Sequence, residues 1–85
     1  MATSKNKIKI VIADDHLIFI EGIRALIKDS DKVALVGEAS NGEQLLGLLK
    51  AKDVDVVLMD VYMPKMGGIE ATQKIVTSYP NVKVL

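Results

Sequence analysis

The chain has 85 residues, 49% of them hydrophobic, with 11 basic and 11 acidic residues and a formal net charge of zero. That length sets a single small domain, the apolar share excludes a disordered chain, and the charge balance leaves no basic excess to mark a nucleic-acid or membrane surface. The lack of cysteine excludes disulfides and thiolate zinc sites, no apolar run approaches a membrane span, and the polar start from Met1 to Lys7 is no signal peptide, so a cytoplasmic protein is the simplest reading.

Met1 to Asn6 is expected to be a frayed tail. A first strand runs over about Lys7 to Ala13, an apolar, β-branched stretch ending in Asp14-Asp15. His16 to Asp29 is predicted helical, with Phe19, Ile23, Leu26 and Ile27 at i, i+4, i+7 and i+8 as the inward stripe and Glu21, Arg24 and Lys28 on the other side. Asp29-Ser30-Asp31 makes a turn. Val33 to Ala39 is the second strand. Ser40-Asn41-Gly42-Glu43-Gln44 offers two overlapping capping boxes, Ser40 with Glu43 or Asn41 with Gln44. The helix that follows reaches about Ala51, with Leu45, Leu46, Leu48 and Leu49 inward and Gly47 weakening it by ~1 kcal/mol relative to Ala. Val54 to Met59 is a third apolar strand, ending in Asp60. After a loop with Pro64, Gly67 and Gly68, a third helix spans about Gly68 to Tyr79, with Ile69, Thr72, Ile75, Val76 and Tyr79 on one stripe, and Pro80-Asn81 stops it. Val82 to Leu85 begins a fourth strand.

The order β-α-β-α-β-α-β implies a parallel sheet with right-handed crossovers, an α/β fold. Two strands end in acids, and the carboxyl ends of such strands face the crevice where open α/β sheets bind ligands. Alone, Asp60 could simply cap a turn, and Asp14-Asp15 could be a solvated helix start. Strand order decides. If the first and third strands are neighbours, Asp60 lies ~5 Å sideways from the first strand's end, and with the second strand between them the gap is ~10 Å. Only the order 2-1-3-4 brings Asp14, Asp15 and Asp60 together, and this begins the flavodoxin-like order with its switch point between strands one and three. Three carboxylates in one pocket need a cation, and hard oxygen ligands suit Mg²⁺. His16 reads as a helix-start residue at the pocket rim, Pro64 as a loop-shaping residue, and Met59, Met63 and Met66 as core and loop packing.

Asp14-Asp15-His16, Glu21-Gly22, Gly37-Glu38-Ala39 with Asn41-Gly42, Met59-Asp60-Val61-Tyr62-Met63-Pro64 and Gly68-Ile69-Glu70-Ala71-Thr72 together closely resemble the receiver domain of two-component response regulators. They look most like the branch with a LuxR-type helix-turn-helix output, and the resemblance runs from Lys7 to Leu85. It implies a CheY-like fold, with Asp60 as the phosphoacceptor for a sensor histidine kinase. It also implies Mg²⁺ held by Asp15 and Asp60, with Asp14 acting through water and the Tyr62 backbone carbonyl as a further ligand. Leu17 stands where this branch often has Pro, and Gly67 where Asp, Asn or Ser often stands. The family pattern continues beyond Leu85 with a Ser or Thr, a fourth helix, a fifth strand ending in Lys and a fifth helix, so residues 1–85 are expected to be a partial receiver, with DNA reached only through a further C-terminal module.

The alternative is a self-associating structural module in which the acids are relics. A phosphatase of the aspartate-nucleophile type wants a second Asp at position 62, where this chain has Tyr62, and there is no glycine-rich nucleotide loop. Without a helix beside the first one, the sheet is expected to leave side chains from Ile8, Ile10, Ile12, Val56, Leu58, Val82 and Val84 uncovered. The expected consequence is a homodimer, not a stable monomer.

Overall fold

The computed structural model describes residues 7–85, so the expected tail from Met1 to Asn6 lies outside the described residues. Strands and helices alternate as β1 Ile8–Ala13, α1 Leu17–Ile27, β2 Val33–Ala39, α2 Gly42–Ala51, β3 Val56–Met59, α3 Gly68–Ser78 and β4 Lys83–Val84. All pairings are parallel and the sheet order is β2-β1-β3-β4, the expected 2-1-3-4 arrangement.

Several ends fall a residue or two inside those expected. β3 begins at Val56 because the Lys9 N–H bonds the Asp55 carboxylate at 2.8 Å in place of a backbone carbonyl, so the ladder starts late. The N–H of Asp55 then bonds the Lys9 carbonyl and its own carbonyl accepts from Lys83, which ties β1, β3 and β4 together at the edge opposite the acids. α1 begins at Leu17 with His16 as its N-cap. α3 ends at Ser78, because Tyr79 leaves the helical region ahead of Pro80. At the start of α2 the Asn41 side chain caps the Gln44 N–H at 2.8 Å, while the Gln44 side chain returns to the N–H and hydroxyl of Ser40. The Asn41–Gln44 box therefore forms with its return bond one residue early, and the helix start is closed by three residues instead of two.

The core lies between the sheet and the α2/α3 layer. Val11, Ala13 and Val57 from the strands meet Leu45, Leu49, Ala71 and Ile75 from the helices, all buried. Ile12 and Ile20 are buried outside that cluster, on the opposite face with α1. The expected stripe on α1 is corrected here. Ile20, Ile23 and Ile27 turn inward, while Phe19 and Leu26 are exposed, the latter at 80%. Seven of the eleven α1 residues are large and apolar, so periodicity admits more than one stripe. α3 is corrected as well. Gly68, Ala71 and Ile75 are its buried residues, with Ile69 and Val76 exposed. Small side chains let α3 approach closely, and a hydropathy pattern gives small residues little weight. Val82 and Val84, expected among the uncovered side chains, pack against the α2/α3 core. Ile10, Val56 and Leu58 are half-buried, Ile8 is exposed and Ile12 is fully covered.

Candidate metal centre

Two strands deliver the acids. β1 ends at Ala13 and β3 at Met59, and these residues are register partners, so Asp14 and Asp60 leave the sheet side by side. Backbone bonds extend the sheet one step past its formal end: Asp14 donates to the Ala39 carbonyl and Asp60 to the Ala13 carbonyl, each at 2.9 Å. Ligand atoms of Asp14, Asp15, His16 and Asp60 all lie within 4.8 Å of one another. The structure thus brings together the three carboxylates on which the strand-order argument turned.

Their environments differ. The Asp14 and Asp60 side chains are 12% and 18% exposed, that of Asp15 39%. The Oδ1 of Asp60 accepts the Tyr62 N–H at 3.1 Å. Its Oδ2 is buried and has no hydrogen-bond partner. A buried, unpaired carboxylate oxygen is costly unless a cation or donor meets it. Together with an all-oxygen acidic set, that atom fits a hard divalent cation such as Mg²⁺. The Tyr62 side chain is exposed and takes no part in the cluster.

His16 is the residue that sequence reasoning placed too far out. Its backbone caps α1 at the rim, as expected, but its ring reaches into the cluster. Nδ1 lies 2.6 Å from Asp14 Oδ1 and 3.5 Å from both Asp15 Oδ1 and Asp60 Oδ2. The bond to Asp14 and the charges of Asp14, Asp15 and Asp60 raise the His16 pKa above its ordinary 6.5. Among the described residues, only His16 brings a basic side-chain nitrogen within 4 Å of these carboxylates. The signal available in the sequence was a lone histidine directly after two acids; ligand preference alone says nothing about the reach of its ring.

Behind the cluster, backbone packs on backbone. The Gly68 N–H bonds the Val61 carbonyl at 3.0 Å, and the Gly42 N–H bonds the Met66 carbonyl at 2.8 Å. A Cβ on Gly68 would stand 2.4 Å from the Asp60 carbonyl oxygen, and one on Gly42 would stand 2.6 Å from that of Met66. Both glycines let a helix N-terminus close directly onto the loop that follows Asp60. Between them Lys65 takes a left-handed φ of 60°, the one such non-glycine among the described residues, and Met63 is buried. Pro64 stands within this turn and does not touch the acids through any described hydrogen bond.

The family model for the response regulator receiver domain matches residues 10–85. The transcriptional regulatory protein DegU of Brevibacillus brevis is 42% identical over 82 residues, covering 96% of this chain and 35% of that protein. The response regulator UvrY of Escherichia coli O6:H1 is 45% identical over 78 residues, covering 92% of this chain and 36% of its own length. The chain therefore spans about a third of the curated relatives it matches. Among solved structures, the non-phosphorylated receiver domain of the stress response regulator RcsB from Escherichia coli superposes with a TM-score of 0.85 at 30% identity, over 93% of this chain and 63% of that one.

Proposed function

This chain belongs to the response regulator receiver domain family, and from that premise we propose that it accepts a phosphoryl group on Asp60 from a sensor histidine kinase. The observation that carries this reading is the Asp60 carboxylate, mostly buried at the end of β3, with one oxygen unpaired and two further carboxylates beside it. A carboxylate oxygen of Asp60 forms the new O–P bond as the P–N bond of the donor phosphohistidine breaks and the imidazole leaves. The Tyr62 N–H fixes the orientation of the carboxylate through Oδ1, so little reorganisation is needed at the moment of attack. Asp15 and Asp60 would hold Mg²⁺, with Asp14 acting through water and the Tyr62 carbonyl as a further ligand. Bound there, the metal supplies charge neutralisation for the nucleophile and the phosphoryl oxygens. The product adds about −1.5 to −2 charge at the sheet edge.

In this reading the domain is a cytoplasmic signalling unit, not a turnover enzyme, and controls a DNA-binding output in a longer, dimeric protein. The relative named as a transcriptional regulator supports that output. No helix among the described residues is long and apolar enough to cross a membrane. A second reading, a self-associating structural module, draws on the exposed Leu17, Ile18 and Leu26 of α1.

Prolonged incubation with acetyl phosphate and Mg²⁺, followed by borohydride trapping and peptide mass spectrometry, separates the two. The expected result is homoserine at position 60, the borohydride reduction product of an aspartyl phosphate, and Asp60→Asn abolishes it. Equal labelling of the wild type and Asp60→Asn, or none in either, would sink the phosphoacceptor reading and leave the structural module.

A further inference from the structure

The Oδ1 of Asp14 receives two bonds from the same residue: the His16 backbone N–H at 2.8 Å and the ring Nδ1 at 2.6 Å. The first fixes the turn between β1 and α1. The second draws the imidazole over the acids, so that Nδ1 faces Asp15 Oδ1 and the unpaired Asp60 Oδ2. One nitrogen thus lies among oxygens contributed by all three carboxylates. Magnesium demands oxygens at about 2.0–2.1 Å in near-octahedral geometry and keeps several waters. A ring nitrogen 2.6–3.5 Å from the same oxygens leaves no room for that shell.

We propose that the His16 side chain competes with the divalent cation for the acidic cluster, so that metal loading requires the imidazole to leave. This rests on the reading above that the cluster binds a metal. The competition is one of place: Nδ1–H can donate to Asp14 in a neutral tautomer as well as in the imidazolium. Leaving is feasible because the side chain is 68% exposed, and rotation carries the ring into water. His16 is then neither a ligand nor a bystander. It is an internal occupant that bonds Asp14, stands before Asp15 and Asp60, and raises the metal concentration needed to fill the site.

The test is calorimetric titration of the 85-residue chain with MgCl₂, comparing wild type, His16→Ala and Asp60→Asn. His16→Ala is expected to bind about two- to tenfold more tightly, the range set by losing one exposed hydrogen bond from the competitor. Unchanged or weaker binding in His16→Ala overturns the proposal, and weaker binding would make His16 a ligand. If Asp60→Asn binds as well as wild type, the metal reading itself fails and the proposal falls with it. If Asp60 is required and His16→Ala gains nothing, only the proposal fails. A second measurement needs no variant. His16 is the sole histidine, so its ring protons give isolated NMR signals. They are expected to move to free-imidazole positions as Mg²⁺ saturates, and ring signals that stay fixed while metal binds would also overturn the proposal.

Discussion

Replacing Gly68 by Ala tests whether the start of α3 and the phosphoacceptor strand form one rigid unit. The added Cβ would lie 2.4 Å from the Asp60 carbonyl oxygen, 2.8 Å from the Val61 Cα and 3.1 Å from the Asp60 carbonyl carbon. All three are backbone atoms, so no flexible side chain can yield, and the closest is about 1 Å inside van der Waals contact. Gly68 does not have a positive φ, so the obstacle is space and not conformation. Relief requires α3 to withdraw, which stretches the Gly68–Val61 hydrogen bond of 3.0 Å. Overpacking costs about 1–3 kcal/mol and a lost hydrogen bond about 1 kcal/mol. The better helix propensity of Ala returns under about 1 kcal/mol. The net is a loss of about 1–3 kcal/mol, a large part of the ~5–15 kcal/mol that holds a domain together. Gly47→Ala is the matched control: it lies within α2, where an added Cβ would meet nothing within 4 Å, and should gain about 0.5–1 kcal/mol. Urea unfolding followed by circular dichroism reads both. If Gly68→Ala unfolds at the wild-type midpoint, α3 is not seated on Asp60 as described.

Phosphorylation of the 85-residue chain by acetyl phosphate should be poor, about a hundredfold slower than with a basic donor at the site, since no Lys or Arg among the described residues stands within 4 Å of the acids and lacking one charge-stabilising donor costs ~3 kcal/mol; near-complete labelling within minutes contradicts this. The chain should self-associate at low micromolar concentration, because Ile18 at 90% and Leu26 at 80% exposure each forgo ~1.5–3 kcal/mol of burial, and a folded, monodisperse monomer in sedimentation equilibrium would rule that out. The pH dependence follows from His16, whose folded pKa is raised above 6.5. Its contribution to stability is fully present below 6.5 and is lost as pH rises through the higher folded value; an NMR titration giving a folded pKa at or below 6.5 would contradict the ring's placement. Asn41→Ala should lower stability by ~1 kcal/mol through loss of the α2 cap, and an unchanged urea midpoint would mean that Ser40 and Gln44 close the helix alone.

The strands and the acids at two of their ends were legible from the residues alone, whereas the order 2-1-3-4, and with it the meeting of three carboxylates, came with the family resemblance. Apolar β-branched runs mark the strands, and Asp14-Asp15 and Asp60 stand at two of their ends. Helix orientation was less legible. On α1 the abundance of Leu, Ile and Phe hides which stripe docks, and on α3 the docking residues are Gly68 and Ala71, chosen for small size. The reach of His16 depends on a turn geometry fixed by the Asp14 carboxylate, which no periodicity encodes.

β2 contains an extra residue relative to β1: Ile10 pairs with Leu35 but Val11 pairs with Gly37, so Val36 is inserted between them. Its carbonyl is satisfied by the Lys52 ammonium at 2.6 Å. An insertion in a strand is a phase slip. Before it, Val33 and Leu35 share a face with Ile8 and Ile10, the α1 side; after it, Gly37 and Ala39 share a face with Val11 and Ala13, the α2 side. A single strand therefore changes allegiance halfway along, and odd-numbered residues serve both layers in turn. Gly37 arrives beneath Leu48, where a Cβ would stand 3.1 Å away, and Ala39 arrives level with Asp14, whose N–H it binds. Excising Val36 would leave Val33 and Leu35 opposite Ile8 and Ile10, and Gly37 and Ala39 opposite Val11 and Ala13, each on its present face; what it would remove is the Val36 side chain packed on the core and the carbonyl that Lys52 binds. The extra residue thus lends the α2 layer one more side chain and Lys52 an anchor, three residues before the carbonyl that Asp14 binds.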